Sequence, residues 1–315
     1  MTVALRLTLL AFLAALVIVA EPSTAPASQI LDRNVANIRL AVNAKGEALV
    51  TYTRPNGQVR RVLAWGAVDA VVPDRNVPQQ RFKLDYAGGW SKYRKGNYWR
   101  TFKNICRAYT GPALQLAVAA CTAPDGSHWA LQSWQRVQPL RGVAAFLPEH
   151  MAWELHLSHW TADLVVLNVS PNWTYGGSLQ GLFGQMLYKG LPVFGFKTPK
   201  RGAGDRNARY VYIDTFNSAY GSGWKRDGAK VTHIGSGGFC YSFAPLLQAP
   251  PGYPSVPTVS GVGHRHRVTA MGPGVTPDVV WEGAALGAYD PDVDRGFNSL
   301  FDAVLGSDKA CTAER

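Results

Sequence analysis

Between residues 38 and 65 the chain alternates apolar and polar positions and interrupts the alternation with turn residues, and this restricts its fold more than any other feature. Ile38, Leu40 and Val42 alternate, Lys45-Gly46 turns the chain, and Ala48, Val50 and Tyr52 alternate again. Pro55-Asn56-Gly57 turns it back, and Val59 to Trp65 reads as a third strand. A period of two places every second side chain on one face, which suits a strand with one buried side and excludes a helix.

The same grammar continues downstream. Ala123-Pro124-Asp125-Gly126 predicts a turn before the alternating WALQSWQR, and WELHLSHW is separated from LVVLNVS by Thr161-Ala162-Asp163, a hairpin-like spacing. FGQMLY and LPVFGF flank Lys189-Gly190 as a second hairpin; Leu179, Leu182, Phe183, Met186 and Leu187 also fit helical spacing, but Gly181 and Gly184 favour strands. Arg209 to Phe216 reads as a strand followed by a polar aromatic loop, NSAYGSGW. Five prolines from Pro245 to Pro257 exclude regular structure there, after which HRHRVTAM and PDVVWEG resume the strand pattern. One amphipathic helix is expected near the C-terminus, with Val293, Phe297, Leu300, Phe301, Val304 and Leu305 as its apolar stripe. With 32 glycines and 20 prolines, the expected fold is mainly β: an antiparallel β-sandwich or two small β lobes, with that C-terminal amphipathic helix. The expected division is 1–27, 28–147 and 148–315, the last two being β-rich lobes.

Arg6 precedes an apolar run from Leu7 to Ala20, and Ala25-Pro26-Ala27 supplies small residues, the order of a cleaved secretory signal with its cut after Ala27. The run is shorter than the roughly 20 residues that cross a bilayer, and no comparable run occurs downstream, so no transmembrane segment is expected in the mature chain. Cleavage removes one base and one acid, leaving the net charge at +11. Cys106, Cys121, Cys240 and Cys311 form an even set without a CxxC pair, as expected of disulfides in an oxidising compartment; pairing 106 with 121 and 240 with 311 closes each bridge within its own half. A secreted or cell-envelope location is therefore expected.

WELHLSHW lacks the HExxH spacing of a zinc helix. As an amphipathic strand it sets Glu154 and His156 on one side, about 7 Å apart at their Cα atoms, a candidate acid–base pair on a solvent face. His264 and His266 alternate on a strand and, with His233, have the composition of a three-His zinc site. Asp290, Asp292 and Asp294 alternate as in a calcium loop, although Gly296 comes one position late and Phe301 stands where the bidentate glutamate belongs. The same acids suit capping of the following helix. Structural calcium is thus the one cofactor with any sequence support. No GxSxG elbow, GxGxxG or P-loop pattern occurs.

From Arg81 to Arg107 eight bases face one acid, Asp85, with aromatic residues interleaved. Trp90, Tyr93, Arg94, Lys95, Tyr98, Trp99 and Arg100 are its candidate ligand-binding residues, because rings stack on sugar faces and cations pair with acid groups. Export and the absence of a binding module disfavour nucleic acid. The expected function is a secreted, non-catalytic binder of an extracellular glycan or anionic cell-wall or surface polymer. The alternatives are a secreted glycosidase-like hydrolase using Glu154, Asp214 or Glu282 with His156, and a structural envelope protein that binds another protein.

Overall fold

The meander forms in the register its turns dictate. In the computed structural model, which describes residues 28–70, 80–136, 151–161, 163–173, 179–193, 211–230, 238–243, 263–283 and 290–292 with Arg295 and Ser299, β1 (Gln29–Arg33) precedes β2 (Ala36–Val42), β3 (Ala48–Thr53) and β4 (Val59–Trp65). Val50 lies opposite Leu40 on one side and Val62 on the other. Gly46 and Gly57 take the left-handed backbone (φ 67° and 79°) that the two turns require. The short β5 (Lys83–Asp85) extends the sheet beyond β4, pairing only with Leu63, Ala64 and Trp65.

A second antiparallel sheet closes over this one. After the short helix α1 (Trp90–Tyr93) and a 3-10 turn (Tyr98–Thr101) come β6 (Arg107–Ala108), β7 (Ala117–Thr122), β8 (His128–Gln135) and β9 (Trp153–Trp160), in the order β1-β9-β8-β7-β6. Trp129, Leu131, Leu155 and Leu157 pack against Val50, Tyr52, Val62 and Ala64 of the meander. A fully buried side chain of this size contributes about 1.5–3 kcal/mol, so this layer holds the first sandwich together. Cys106 and Cys121 are bonded across it, 15 residues apart, a constraint of about 3 kcal/mol on the unfolded chain. Cys240 is also disulfide-bonded; Cys311 lies outside the described residues.

The second sandwich has the same logic. β10 (Val166–Trp173), β11 (Leu179–Tyr188) and β12 (Leu191–Pro192) form one sheet, with β15 (Gly238–Ser242) on β11. The facing sheet comprises β13 (Val211–Ser218), β14 (Gly221–Lys230), β16 (Arg265–Ala270) and β17 (Val279–Gly283), in the order β14-β13-β16-β17. Leu182, Met186, Phe239 and Tyr241 meet Val211, Ile213, Val268 and Ala270 between them. The chain is thus mainly β and antiparallel. Among the described residues, no helix is long and apolar enough to cross a membrane.

Two local expectations are corrected. β9 and β10 are not a hairpin: β9 is flanked on both edges by β1 and β8, so the chain leaves Trp160 for a different sheet. NSAYGSGW is not an open loop but the tip of the β13–β14 hairpin, where Asn217 and Gly221 have positive φ and Trp224 faces Phe216. The expected C-terminal helix lies outside the described residues except for Arg295 and Ser299.

Candidate ligand-binding surface

Asp85, the single acid of the basic segment, organises the residues just after it. Its carboxylate accepts the backbone N–H groups of Ala87 (2.8 Å), Gly89 (3.0 Å) and Ser91 (2.7 Å), which turns the chain into α1. Burial pushes this carboxyl up, but the backbone hydrogen bonds outweigh it and hold the group below the usual range. Gly88 and Gly89 supply the positive φ angles of the turn.

A second carboxylate, Glu47, clasps the segment to the meander. It is almost fully buried and receives Lys92 Nζ (2.6 Å), Asn43 Nδ2 (2.7 Å), Tyr98 OH (2.8 Å) and Tyr93 OH. The two tyrosine rings stack at 4.3 Å. Burial raises the Glu47 pKa, yet the four donors together lower it to about 2. Lys92 also lies over the Trp65 ring and Arg61 over Trp99, so the segment is fastened across the outward face of β4.

The seven candidate binding residues therefore divide. Tyr93 and Tyr98 turn their phenols inward to Glu47, and Trp99 is half-buried against Arg61. Trp90 keeps 49% of its surface in solvent, and Arg94, Lys95 and Arg100 are exposed around the same knuckle. The parallel pair of rings is the internal one, Tyr93 on Tyr98, while Trp90 is the most exposed ring of the seven. Beside the knuckle, Gln58, Arg60, Arg61, Tyr86, Gly88 and Trp99 line a cleft of about 220 Å³.

Glu154 and His156 do sit side by side, but not on a solvent face. Both faces of β9 are buried: Leu155 and Leu157 enter the first core, and His156 on the other face meets Asp278 of the second half. His156 Nε2 lies 3.2 Å from Glu154 Oε2, and its Nδ1 lies 3.2 Å from Asp278 Oδ2 and 2.9 Å from Ser28 Oγ. Ser28 donates to both Asp278 oxygens, and Arg33 donates to Glu154. Burial would depress the imidazole pKa, but the hydrogen bonds to Asp278 and Glu154 prevail and raise it. For both carboxylates burial is likewise overcome, chiefly by His156 and Arg136, and they are held low. The composition is that of a Ser–His–acid triad. Yet Ser28 Oγ and Asp278 share one ring nitrogen, Nδ1, while Glu154 faces Nε2, and Ser28, His156 and Asp278 expose almost no surface. The cluster thus brackets one buried imidazole between two carboxylates, Glu154 and Asp278.

The remaining candidates are dispersed. Asp214 is gripped by Arg226 and Arg267, and Glu282 is paired with Arg265. Asp292 N–H donates to Asp290 Oδ1, and Asp294 lies outside the described residues. His266 is buried beside Phe243, His264 is exposed, and His233 is outside the described residues. Among the described residues no three His, Cys, Asp or Glu side chains converge on a metal position. Sequence reasoning missed Glu47, Asp278 and Ser28, whose partners lie 45, 144 and 128 residues away. Asp85 carried a signal, as the one acid in a basic run.

Against protein-family models, curated proteins and solved structures, the chain shows no match.

Proposed function

We propose that the chain is an exported, non-catalytic binding protein whose knuckle of Trp90, Arg94, Lys95 and Arg100 adheres to an extracellular glycan or anionic surface polymer. The observation that supports this reading most is the contrast within one segment. Its inward-facing donors are spent on Glu47 and Asp85, which tie the segment to the meander, while an indole and three cations stay in solvent around α1. A rigid scaffold lowers the ordering cost of binding, and a ring beside cations suits a sugar that carries acid groups. Export belongs to the proposal and draws on the leader-like residues 1–27 and the disulfides. The hydrolase reading ranks second because Glu154, Asp214 and Glu282 are each ion-paired with arginine.

Sedimentation of the protein with insoluble polysaccharides and cell-wall preparations tests the proposal. Pelleting at low salt that falls in Trp90→Ala and in Arg94→Ala/Arg100→Ala is the expected result. Pelleting that survives high salt assigns the attachment to ring stacking rather than charge. No pelleting with any preparation, or turnover that disappears in Glu154→Gln, would overturn it.

A further inference from the structure

The cleft beside the knuckle owes its shape to the end of β5. That strand pairs with β4 only at Leu63, Ala64 and Trp65, and the chain then swings away through Tyr86 to Gly89, leaving the β4 edge at Val59 to Arg61 open. Side chains from both faces of β4 flank an open edge, which is why the consecutive residues Arg60 and Arg61 line the same cleft. The Arg61 guanidinium lies 3.9 Å from the Trp99 ring centroid, and that of Arg60 lies 5.6 Å from Tyr86. Tyr86 is fixed in turn by donating to Leu31 O at 3.2 Å. Stacking sets the plane of a guanidinium while leaving its edge N–H groups free, the geometry that meets an oxyanion in a bidentate fashion.

Charge pairing and burial together set these two arginines apart. Arg33, Arg54, Arg136, Arg226, Arg265 and Arg267 each have a carboxylate partner. Among the described residues no ion pair involves Arg60 or Arg61, although both are half-buried. A partly desolvated cation without a counter-ion is relieved by any anion that reaches it. Gly88 keeps the cleft this narrow: a Cβ there would lie 3.3 Å from Arg61 Cβ, at a φ of 66°. The volume, about 220 Å³, is below the roughly 300 Å³ at which drug-sized pockets begin, and so suits one sugar unit.

We infer that this cleft seats the acid group of an acidic saccharide, with Arg61 and Arg60 as the oxyanion donors and Tyr86 and Trp99 as its walls. This rests on the glycan-binding reading and names its ligand class: a carboxylate- or sulfate-bearing sugar rather than a neutral one. Titration calorimetry of the protein with oligogalacturonate, dextran sulfate, neutral dextran and inorganic sulfate tests it. Circular dichroism and melting of each variant verify the fold. Acidic oligomers are expected to bind and neutral dextran not; Arg61→Gln is expected to weaken them by about tenfold, in keeping with loss of one charge-assisted contact. Oligogalacturonate binding without dextran sulfate binding assigns the donors to carboxylates, and the reverse assigns them to sulfate esters. Unchanged affinity in folded Arg61→Gln and Arg60→Gln proteins overturns the inference while leaving the knuckle reading intact if Trp90→Ala still abolishes binding. Binding of inorganic sulfate that is lost in Arg61→Gln, with no polymer bound, keeps the oxyanion site and removes the glycan reading. No heat with any of the four removes both.

Discussion

Glu47 shows how one side chain sets the behaviour of a whole segment. A carboxylate with four donors is stabilised in its charged form, and replacing it leaves Lys92, Tyr93 and Tyr98 facing a group that holds them less well. Glu47→Gln is expected to cost about 1–3 kcal/mol in urea unfolding at neutral pH. Because its folded pKa is lowered from the ordinary 4.5 to about 2, this contribution is complete above 4.5 and fades as pH falls toward 2. The wild-type and variant curves should converge in that window. Histidines impose a different dependence. His159 and His266 are pushed down to about 4 by burial, so they lend stability that grows between pH 4 and 6.5. His156, raised above 6.5, lends stability that is complete below 6.5 and lost as pH rises through its folded value. The melting temperature should therefore peak near pH 6.5, and His156→Gln should flatten the alkaline limb; a flat wild-type profile from pH 5 to 8.5 would contradict this assignment.

Among the elements, β11 is hydrogen-bonded on both edges, to β10 and to β15. Gly184 lies between β10 and β15, where an added Cβ would stand 2.4 Å from Asn168 O and 2.5 Å from the Phe239 ring. Gly184→Ala must displace a fully buried aromatic side chain or push neighbouring strands apart. A loss of about 1–3 kcal/mol is expected, read from chemical unfolding. The α1 segment depends on a side chain rather than on packing, since no residue of that helix is buried. Asp85→Ala should thus release the Ser91 amide to hydrogen exchange while barely altering exchange at Val50 or Leu131 in the first core. Equal loss of protection at all three sites would show that the segment and the sandwich unfold together.

Across the whole molecule, Asp278 is a buried point of contact between the two sandwiches. Its carboxylate takes Trp134 Nε1 (3.0 Å), Ser28 Oγ and Gly272 N–H, and its backbone exchanges two hydrogen bonds with the Gln132 side chain (2.8 and 2.9 Å). Nearby, Arg226 donates to Gln135 O and His159 N–H to Val275 O. Removing one member of a buried charge set leaves its partners uncompensated, which costs about 3–5 kcal/mol. Asp278→Ala is expected to divide a single calorimetric transition into two, the sandwiches melting separately. One undivided transition at the wild-type temperature would refute this role.

The strands were legible because their determinants are local. Alternation and turn glycines specify Ile38 to Trp65 within a few residues, and the same holds for the β11–β12 hairpin at Lys189-Gly190. The 106–121 pairing was legible for a similar reason, being short in sequence. Which sheet each strand enters was not. β9 looks alike as the partner of β10 or of β8, and the choice is made by the cores on either side of it. The site divides in the same way. The composition of the 81–107 segment announced a cationic aromatic surface, since residue types alone supply charge and rings. Only the tertiary structure decided that Tyr93 and Tyr98 serve Glu47, that Trp90 faces solvent, and that Arg60 and Arg61 flank an open strand edge. Exposure and charge pairing depend on groups brought together from distant positions, and a local pattern carries no record of them.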